Sequence, residues 1–156
     1  MKIILITLAI LAVAFFAVST PLTQRVISSS LPPRYIVKTE QEARRLAGES
    51  AVIVLGTGSM QPYIPASADP GNVVAIAAVE RAPYEYLKKG DLVVYNWNNM
   101  FIIHQIMGRQ GACWISSGLN NPHYDGPRVN RDTYHSRVVR IYIISDLSKS
   151  VAVSSR

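Results

Sequence analysis

The apolar positions at the start of the chain form one nearly unbroken run. The stretch Ile3 to Val18 contains a single polar side chain, that of Thr7. At a rise of about 1.5 Å per residue, twenty helical residues span about 30 Å, which is the thickness of the apolar part of a bilayer. The pattern therefore predicts a transmembrane anchor over residues 1–25.

The same segment also has the form of a secretory signal peptide. Lys2 precedes the apolar run, and the small-x-small sequence Ala17-Val18-Ser19 follows it. A retained anchor and a cleaved signal therefore stay open as alternatives. In both cases the positive end favours the cytoplasmic side, so the residues after 25 are expected outside the cytoplasm.

The pattern changes twice between residue 26 and residue 50. Residues 26–38 contain three consecutive serines and the pair Pro32-Pro33, which indicates a linker. Thr39 and Glu42 have the spacing of a capping box, and Gly48 provides a stop. We therefore expect one short helix over residues 40–47.

Beyond residue 50 the apolar residues occur in short runs rich in β-branched and aromatic side chains, with Gly, Asn, Asp or Pro close to most of them. Few stretches keep a helical period of 3.6 residues. The runs predict strands at 51–55, 73–79, 92–95, 101–103 and 138–144. We expect a mainly β domain with an antiparallel sheet over residues 39–145, followed by a flexible polar tail over residues 146–156.

Composition limits the classes of partner and cofactor that are expected. The 156 residues suit one domain with an N-terminal appendage, and the net charge is +6. Basic residues are spread along the chain without a nucleic-acid motif, which leaves a basic surface or attraction to anionic lipid and argues against nucleic acid. A single cysteine, Cys113, excludes an intrachain disulfide and is expected as a buried small hydrophobe. No zinc motif is present, and we expect neither a metal nor an organic cofactor.

A serine follows the first predicted strand in a setting that suits a nucleophile. In the segment Gly56 to Pro62, Ser59 lies between Gly58 and a turn-forming Met-x-Pro sequence. Glycine lets a substrate backbone come close, and the turn leaves the hydroxyl facing outward. Most Gly-Ser turns are only turns, so this segment alone does not predict catalysis.

A serine hydroxyl needs a base within hydrogen-bond reach. His104 lies at the end of a predicted strand, where a histidine is more often a core residue than a base. His123 and His135 lie in loop-like sequence and are expected to face solvent. Lys88 and Lys89 precede a surface turn and are discounted as bases.

A third group would orient the base, and Asp125 is a candidate by residue type alone. Spacing does not bring Ser59, His104 and Asp125 together. The residues by themselves therefore leave the constellation open.

Four segments, in order, resemble the conserved boxes of type I signal peptidases. The family's boxes are Ser-Gly-x-Ser-Met-x-Pro, a Gly-Asp-apolar-Val strand, a segment with the base, and Gly-Asp-Asn-Asn followed by an aspartate. The matching segments here are 56–62, 87–95, 103–108 and 118–121, with Asp125 beyond. The resemblance covers roughly residues 50–144, and it implies the antiparallel β catalytic core of this family. Only residues 109–117 separate the last two boxes, which leaves no room for a second domain.

The resemblance implies a role for each matching residue. Ser59 corresponds to the nucleophile. His104 corresponds to the base, a lysine in most bacterial members and a histidine in the archaeal and endoplasmic-reticulum type. Asp125 corresponds to the acid that supports the base, and the Thr57 hydroxyl with the Ser59 N–H corresponds to an oxyanion hole. The implied chemistry is acyl transfer through an acyl-enzyme.

Three positions depart from the family's pattern. Leu119 replaces the aspartate of the fourth box, so any role of that acid is lost. Gln105 replaces the usual arginine after the base, and we expect a looser structural ion pair. Tyr63 stands where a threonine is common, with an expected effect on packing or on the substrate groove.

The resemblance thus implies a membrane-bound serine endopeptidase that cleaves exported precursors after small residues. Its expected partners are the precursor protein and membrane lipid, and the oligomeric state stays open. One alternative is a specialised protease that matures a single partner. Another is the related self-cleaving repressor protease, which predicts a lysine base and a DNA-binding N-terminus. A third is an inactive membrane-tethered β domain that binds a partner, for which Tyr95 and Trp97 offer contact groups in place of core packing.

Overall fold

A seven-stranded sheet organises residues 31–147, the part of the chain that the computed structural model describes. The elements within those residues include the α-helix α1 (Glu40–Ala47) and a 3-10 turn (Tyr84–Tyr86). The strands are β1 (Arg34–Val37), β2 (Ala51–Leu55), β3 (Val73–Glu80), β4 (Leu92–Trp97), β5 (Met100–Gln110), β6 (Cys113–Ser117) and β7 (Tyr134–Ile144). The predicted anchor at 1–25, most of the tail and the start of the linker lie outside the described residues.

The sheet is mainly antiparallel, which confirms that part of the predicted fold. Its strand order is β2-β3-β7-β4-β5-β6, with antiparallel pairing throughout. β7 has β3 along one edge. Along the other edge its first half pairs with β4, and its second half pairs in parallel with β1. β7 is therefore the strand that joins the two halves of the sheet.

Helix α1 has the predicted bounds and the predicted capping. The Thr39 hydroxyl accepts a hydrogen bond from the Glu42 N–H at 3.2 Å, and the Glu42 carboxylate accepts one from the Lys38 N–H at 3.0 Å. The first bond satisfies a main-chain donor that an uncapped helix start leaves unpaired, and the second ties the residue before the N-cap to the first turn. At the other end, the Gly48 N–H donates to the Arg44 carbonyl at 3.1 Å.

The first strand corrects the predicted linker. Residues 34–37 form β1, because Arg34 to Val37 pair in parallel with Ile141 to Ile144 of β7. Three of the four β1 residues are exposed, so the segment lacks the alternation that marks a half-buried strand. The adjacent prolines also favoured a linker, and only the long-range pairing reveals the strand.

Other boundaries differ where polar residues enter a strand. β5 continues to Gln110, well past the predicted end at residue 103, and β7 begins at Tyr134. β6 was not predicted. Cys113 at the start of β6 is only partly buried, contrary to the expected buried position, because β6 lies at the edge of the sheet, where a single bridge between Trp114 and Val129 continues the pairing.

The start of the predicted tail contacts the domain. The Asp146 N–H donates to the Lys38 carbonyl at 3.2 Å, and Leu147 packs against the apolar core. Residues 148–156 lie outside the described part of the chain.

The largest apolar cluster lies beneath the segment that carries Ser59. Met60 and Ile64, which follow the serine, are almost fully buried in it together with residues from β2, β3, β4, β5 and β7. Burial of such a side chain stabilises the fold by about 1.5–3 kcal/mol. The apolar residues on either side of Gln61-Pro62 therefore hold the serine turn against the sheet.

Candidate active site

Ser59 lies in a turn whose backbone requires a glycine. Gly58 has a φ of 85°, in the left-handed region that side chains other than glycine rarely adopt. The Gln61 N–H donates to the Gly58 carbonyl at 3.2 Å, and the Ile64 N–H donates to the Met60 carbonyl at 3.0 Å. The turn leaves Ser59 partly exposed, while Met60 and Ile64, which follow it, are buried.

His104 reaches the serine from β5. Its Cα pairs across the sheet with Val93 of β4, and the residue is 7% exposed. The His104 Nε2 lies 3.1 Å from the Ser59 Oγ, within hydrogen-bond distance. The strand thus places the only histidine that bonds Ser59 within residues 31–147.

Asp125 completes a line of three side chains. It lies in the segment between β6 and β7, where its N–H donates to the Ser116 carbonyl at 2.9 Å. The Asp125 Oδ2 lies 2.7 Å from the His104 Nδ1, on the opposite side of the ring from Ser59. The structure therefore brings together the three residues that the sequence singled out, in the arrangement of a serine-histidine-aspartate triad.

The surroundings of Asp125 favour its ionised form. Burial raises the pKa of the Asp125 carboxyl, but hydrogen bonds from His104, Ser116 and Tyr95 and the charge of His104 outweigh burial, so this pKa lies below the ordinary value. An ionised Asp125 accepts the Nδ1 proton of His104. That tautomer leaves the Nε2 lone pair free to accept the Ser59 proton.

The segment 118–121, which resembles the fourth box, contacts the main chain of the serine turn. The Asn120 N–H donates to the Ser59 carbonyl at 2.9 Å, and the Asn120 Nδ2 donates to the Gly58 carbonyl at 3.2 Å. A Cβ at Gly118 would lie 2.6 Å from the Ser59 carbonyl oxygen, closer than real contacts allow. Glycine at 118 is therefore required for this close approach.

The expected oxyanion donors lie beside the hydroxyl. The Thr57 Oγ1 is 3.4 Å from the Ser59 Oγ, and the Thr57 residue is exposed. Among residues 31–147, no acceptor bonds the Ser59 N–H. Both groups are thus available to a ligand at the serine.

An apolar groove of about 590 Å³ lies beside Ser59 and His104, both of which line it. Residues of β2 line one side, and residues of the first half of β5 line the other. Within the described part of the chain, β2 pairs only with β3, and residues 100–104 of β5 pair only with β4. Two strand edges with free main-chain groups therefore face the groove from opposite sides.

The remaining candidate bases lie elsewhere. His123 and His135 are exposed, as expected, and neither bonds Ser59 or Asp125. His135 lies in β7 and not in a loop as the sequence indicated. Lys88 and Lys89 are exposed as well.

The three departures have structural counterparts. The buried Gln105 donates to the Gly90 carbonyl at 3.1 Å, while the neighbouring Asp91 has a different cation, Arg137, at 3.7 Å. Leu119 packs against the largest apolar cluster. The Tyr63 hydroxyl donates to the Pro32 carbonyl, and burial raises the pKa of Tyr63 to about 12, against a lowering effect of the Arg34 charge.

Sequence reasoning missed three contributors. Asn120 was part of a matched segment, but nothing in it indicated the two bonds to the serine turn. Tyr95 and Ser116 both bond the Asp125 carboxylate, at 3.1 and 2.8 Å. Tyr95 was weighed only as a core or contact residue, and it is 1% exposed, whereas Trp97 is 43% exposed.

Comparison with known proteins finds no family model, no curated protein and no solved structure that matches the chain. Over residues 31–147, no helix is both long and apolar enough to cross a membrane, and the predicted anchor lies outside this range. The same residues contain no group of three or more His, Cys, Asp or Glu side chains arranged to hold a metal ion.

Proposed function

We propose that this protein is a membrane-bound serine endopeptidase that cleaves signal peptides or similar segments from exported precursors. The observation that carries the proposal is the hydrogen-bonded line Ser59-His104-Asp125 beside an apolar groove. The resemblance of four ordered segments to type I signal peptidases supports the same conclusion. So does the histidine at the position of the base, which is typical of the archaeal and endoplasmic-reticulum type.

The groove favours an extended, apolar substrate. An extended peptide has alternating main-chain donors and acceptors, and the free edges of β2 and β5 offer the complementary groups on both sides. The side chains that line the groove are mostly apolar, among them Ile53, Leu55 and Ile103. A substrate segment with apolar and small side chains therefore fits better than a charged one.

The reaction follows from the geometry of the three side chains. His104 Nε2 accepts the Ser59 proton as the Oγ attacks the scissile carbonyl, and Asp125 stabilises the resulting imidazolium. The Ser59 N–H and the Thr57 hydroxyl donate to the oxyanion. His104 then protonates the leaving amine, and water attacks the acyl-enzyme with His104 again acting as the base. No metal or organic cofactor takes part.

Location at a membrane has two supports. The predicted anchor at residues 1–25 is the first. The second is a group of exposed apolar side chains along the groove and the β4–β5 hairpin, namely Ile53, Leu55, Trp97, Met100 and Phe101. Exposed apolar groups next to one another are typical of protein or membrane contact surfaces. These two features support attachment to a membrane, and the positive end of the N-terminal segment favours the extracytoplasmic side for the catalytic domain.

The test is cleavage of a model precursor by the full chain in detergent. We expect cleavage after a small-x-small site, and a loss of at least about 10³-fold in Ser59→Ala and in His104→Ala. His123→Ala, which removes an exposed histidine side chain that does not line the groove, serves as the matched control and should keep wild-type activity.

Two outcomes contradict the proposal in different ways. If the folded wild type cleaves none of several precursors, the general processing role fails, and maturation of a single partner or partner binding without catalysis becomes the better reading. If His104→Ala keeps full activity, the base is another group.

A further inference from the structure

Two buried hydroxyl groups surround the carboxylate of Asp125. The Asp125 Oδ2 lies 2.8 Å from the Ser116 Oγ and 3.1 Å from the Tyr95 hydroxyl, in addition to the 2.7 Å contact with His104. Tyr95 belongs to β4 and Ser116 to β6, so they flank the strand that carries His104 on both sides. Neither residue lines the groove or contacts Ser59.

The hydroxyl protons have defined directions. Each hydroxyl carries one proton, and an ionised carboxylate only accepts. Burial raises the pKa of the Tyr95 hydroxyl, so Tyr95 stays protonated and donates. Ser116 Oγ also lies 3.3 Å from the Tyr95 hydroxyl, but its shorter contact is with Asp125. Both protons therefore point at the carboxylate oxygen that faces His104.

Asp125 needs such support because it lies outside the strands. Among the main-chain hydrogen bonds of the described residues, one ties the Asp125 N–H to the sheet, and its acceptor is the Ser116 carbonyl. The last torsion of an aspartate side chain is broad and does not fix the carboxylate by itself. Ser116 thus holds both the main chain and the carboxylate of Asp125, and Tyr95 fixes the carboxylate from a second direction.

We propose that Tyr95 and Ser116 are positioning residues of this site. They hold the Asp125 carboxylate, and through it the His104 ring, in the orientation that aims Nε2 at Ser59. This inference rests on the proposed function, because it assigns the two hydroxyls a part in that same reaction. They act through Asp125 and touch neither the serine nor the groove.

Tyr84, in the same apolar cluster as Tyr95, provides a control for a purely structural role of a buried tyrosine hydroxyl. The hydroxyl of Tyr84, another buried tyrosine, donates to the carbonyls of Ala112 and Val129 at 2.8 and 3.0 Å, with no contact to Asp125. Tyr84→Phe removes a buried hydroxyl and its bonds without changing the triad. Any effect specific to Tyr95→Phe is therefore an effect on Asp125 or on Ser116, the two residues that the Tyr95 hydroxyl contacts.

The experiment compares the full-length wild type with Tyr95→Phe, Ser116→Ala, Ser116→Thr and Tyr84→Phe in detergent. We expect kcat to fall about tenfold in Tyr95→Phe and in Ser116→Ala with KM unchanged, since orientation of the base affects only the chemical step. Ser116→Thr keeps the hydroxyl and should restore most of the activity. Tyr84→Phe should retain the wild-type kcat.

The pH profile separates positioning from packing. Within residues 31–147, the titratable or charged side chains that hydrogen-bond Asp125 are His104, Tyr95 and Arg128, and Arg128 bonds only the Asp125 main-chain carbonyl. Loss of the Tyr95 donor leaves more negative charge on the oxygen that faces the ring. Because this favours the protonated ring, we expect the acid limb of kcat/KM to move to higher pH in Tyr95→Phe and in Ser116→Ala, which loses the other donor to the same oxygen, and not in Tyr84→Phe.

A second readout does not depend on cleavage. We expect the proton between His104 Nδ1 and Asp125 to give a low-field signal in the proton NMR spectrum, and Tyr95→Phe and Ser116→Ala to shift or broaden that signal. If the wild type cleaves precursors, and both variants match Tyr84→Phe in kcat, pH profile and this signal, the inference is wrong and the proposed function stands. If the wild type is inactive, the proposed function fails. The signal then decides the inference: a change supports it, and no change overturns it.

Discussion

The two sides of the His104 ring differ in exposure to solvent and in hydrogen bonding. We call the Nε2 side, with Ser59 and the groove, the open side, and the Nδ1 side, with Asp125, the closed side. On the Nε2 side, Ser59 is partly exposed and an apolar groove of about 590 Å³ opens to solvent. On the Nδ1 side, the carboxylate of Asp125 is enclosed by buried hydroxyl groups, and its side chain is 9% exposed. The open side is suited to varied substrates, while the closed side fixes one geometry. The groove side of the ring is therefore suited to binding a ligand, and the Asp125 side is suited to orienting the ring.

The largest expected effect lies on the closed side. In Asp125→Asn, the amide replaces the acceptor of the Nδ1 proton and favours the wrong tautomer of His104, so we expect kcat to fall by about 10³–10⁴-fold with a similar KM. Steady-state kinetics on a fluorogenic precursor peptide measure both constants. A variant within tenfold of wild type would show that the closed side contributes packing rather than chemistry.

On the open side we expect the opposite kinetic signature. Phe101 lines the groove and is 57% exposed, so Phe101→Ser removes apolar contact area for the substrate. We predict a rise in KM of about three- to tenfold with little change in kcat, because such contacts act equally on the bound substrate and the transition state.

The matched control for Phe101→Ser is Tyr86→Ser. Tyr86 is an exposed aromatic residue in the 3-10 turn, and it does not line the groove. Equal changes of KM in the two variants would assign the effect to general surface hydrophobicity and not to the groove.

The smallest expected effect is a pH dependence of stability. The pKa of Asp125 lies below its ordinary value of 3.8 in the folded protein, so its ionised form stabilises the fold above that value. This contribution is lost as the pH falls through the folded-state pKa. We therefore expect the unfolding free energy of wild type to fall more steeply below about pH 4 than that of Asp125→Asn. Denaturant titrations at several pH values measure this, and parallel curves would contradict the assignment.

Local patterns predicted the local parts of the fold. The capping residues around α1 and the apolar run of β2 have the bounds that the sequence indicated, since short-range hydrogen bonds and side-chain periodicity define them. β1 escaped prediction because its partner, β7, lies far along the chain. β6 pairs with the adjacent strand β5, and it escaped prediction because the run Cys113–Ser117 is short and ends in two serines. In β5, the polar Gln105 is fully buried, so polarity gave the wrong end of the strand.

The residues of the candidate site also divide into those that the sequence indicated and those that only the folded structure reveals. Ser59, His104 and Asp125 were singled out from residue types and from a resemblance, and their separation in sequence gave no geometry. Tyr95 and Ser116 had no signal of their own, because an apolar strand and a short run of small residues look the same whether or not they surround a carboxylate. Only the register of β4, β5 and β6 brings these side chains to one place.

If residues 1–25 anchor the chain in a membrane, the parallel pairing of β1 with β7 limits how far the domain can lie from that membrane. If residues 1–25 are the anchor, eight residues, 26–33, separate it from β1. A fully extended chain spans at most about 3.6 Å per residue, so this tether reaches no farther than about 29 Å. The domain is then tethered close to the membrane. A segment of a precursor protein can become a substrate only where it emerges near the lipid surface.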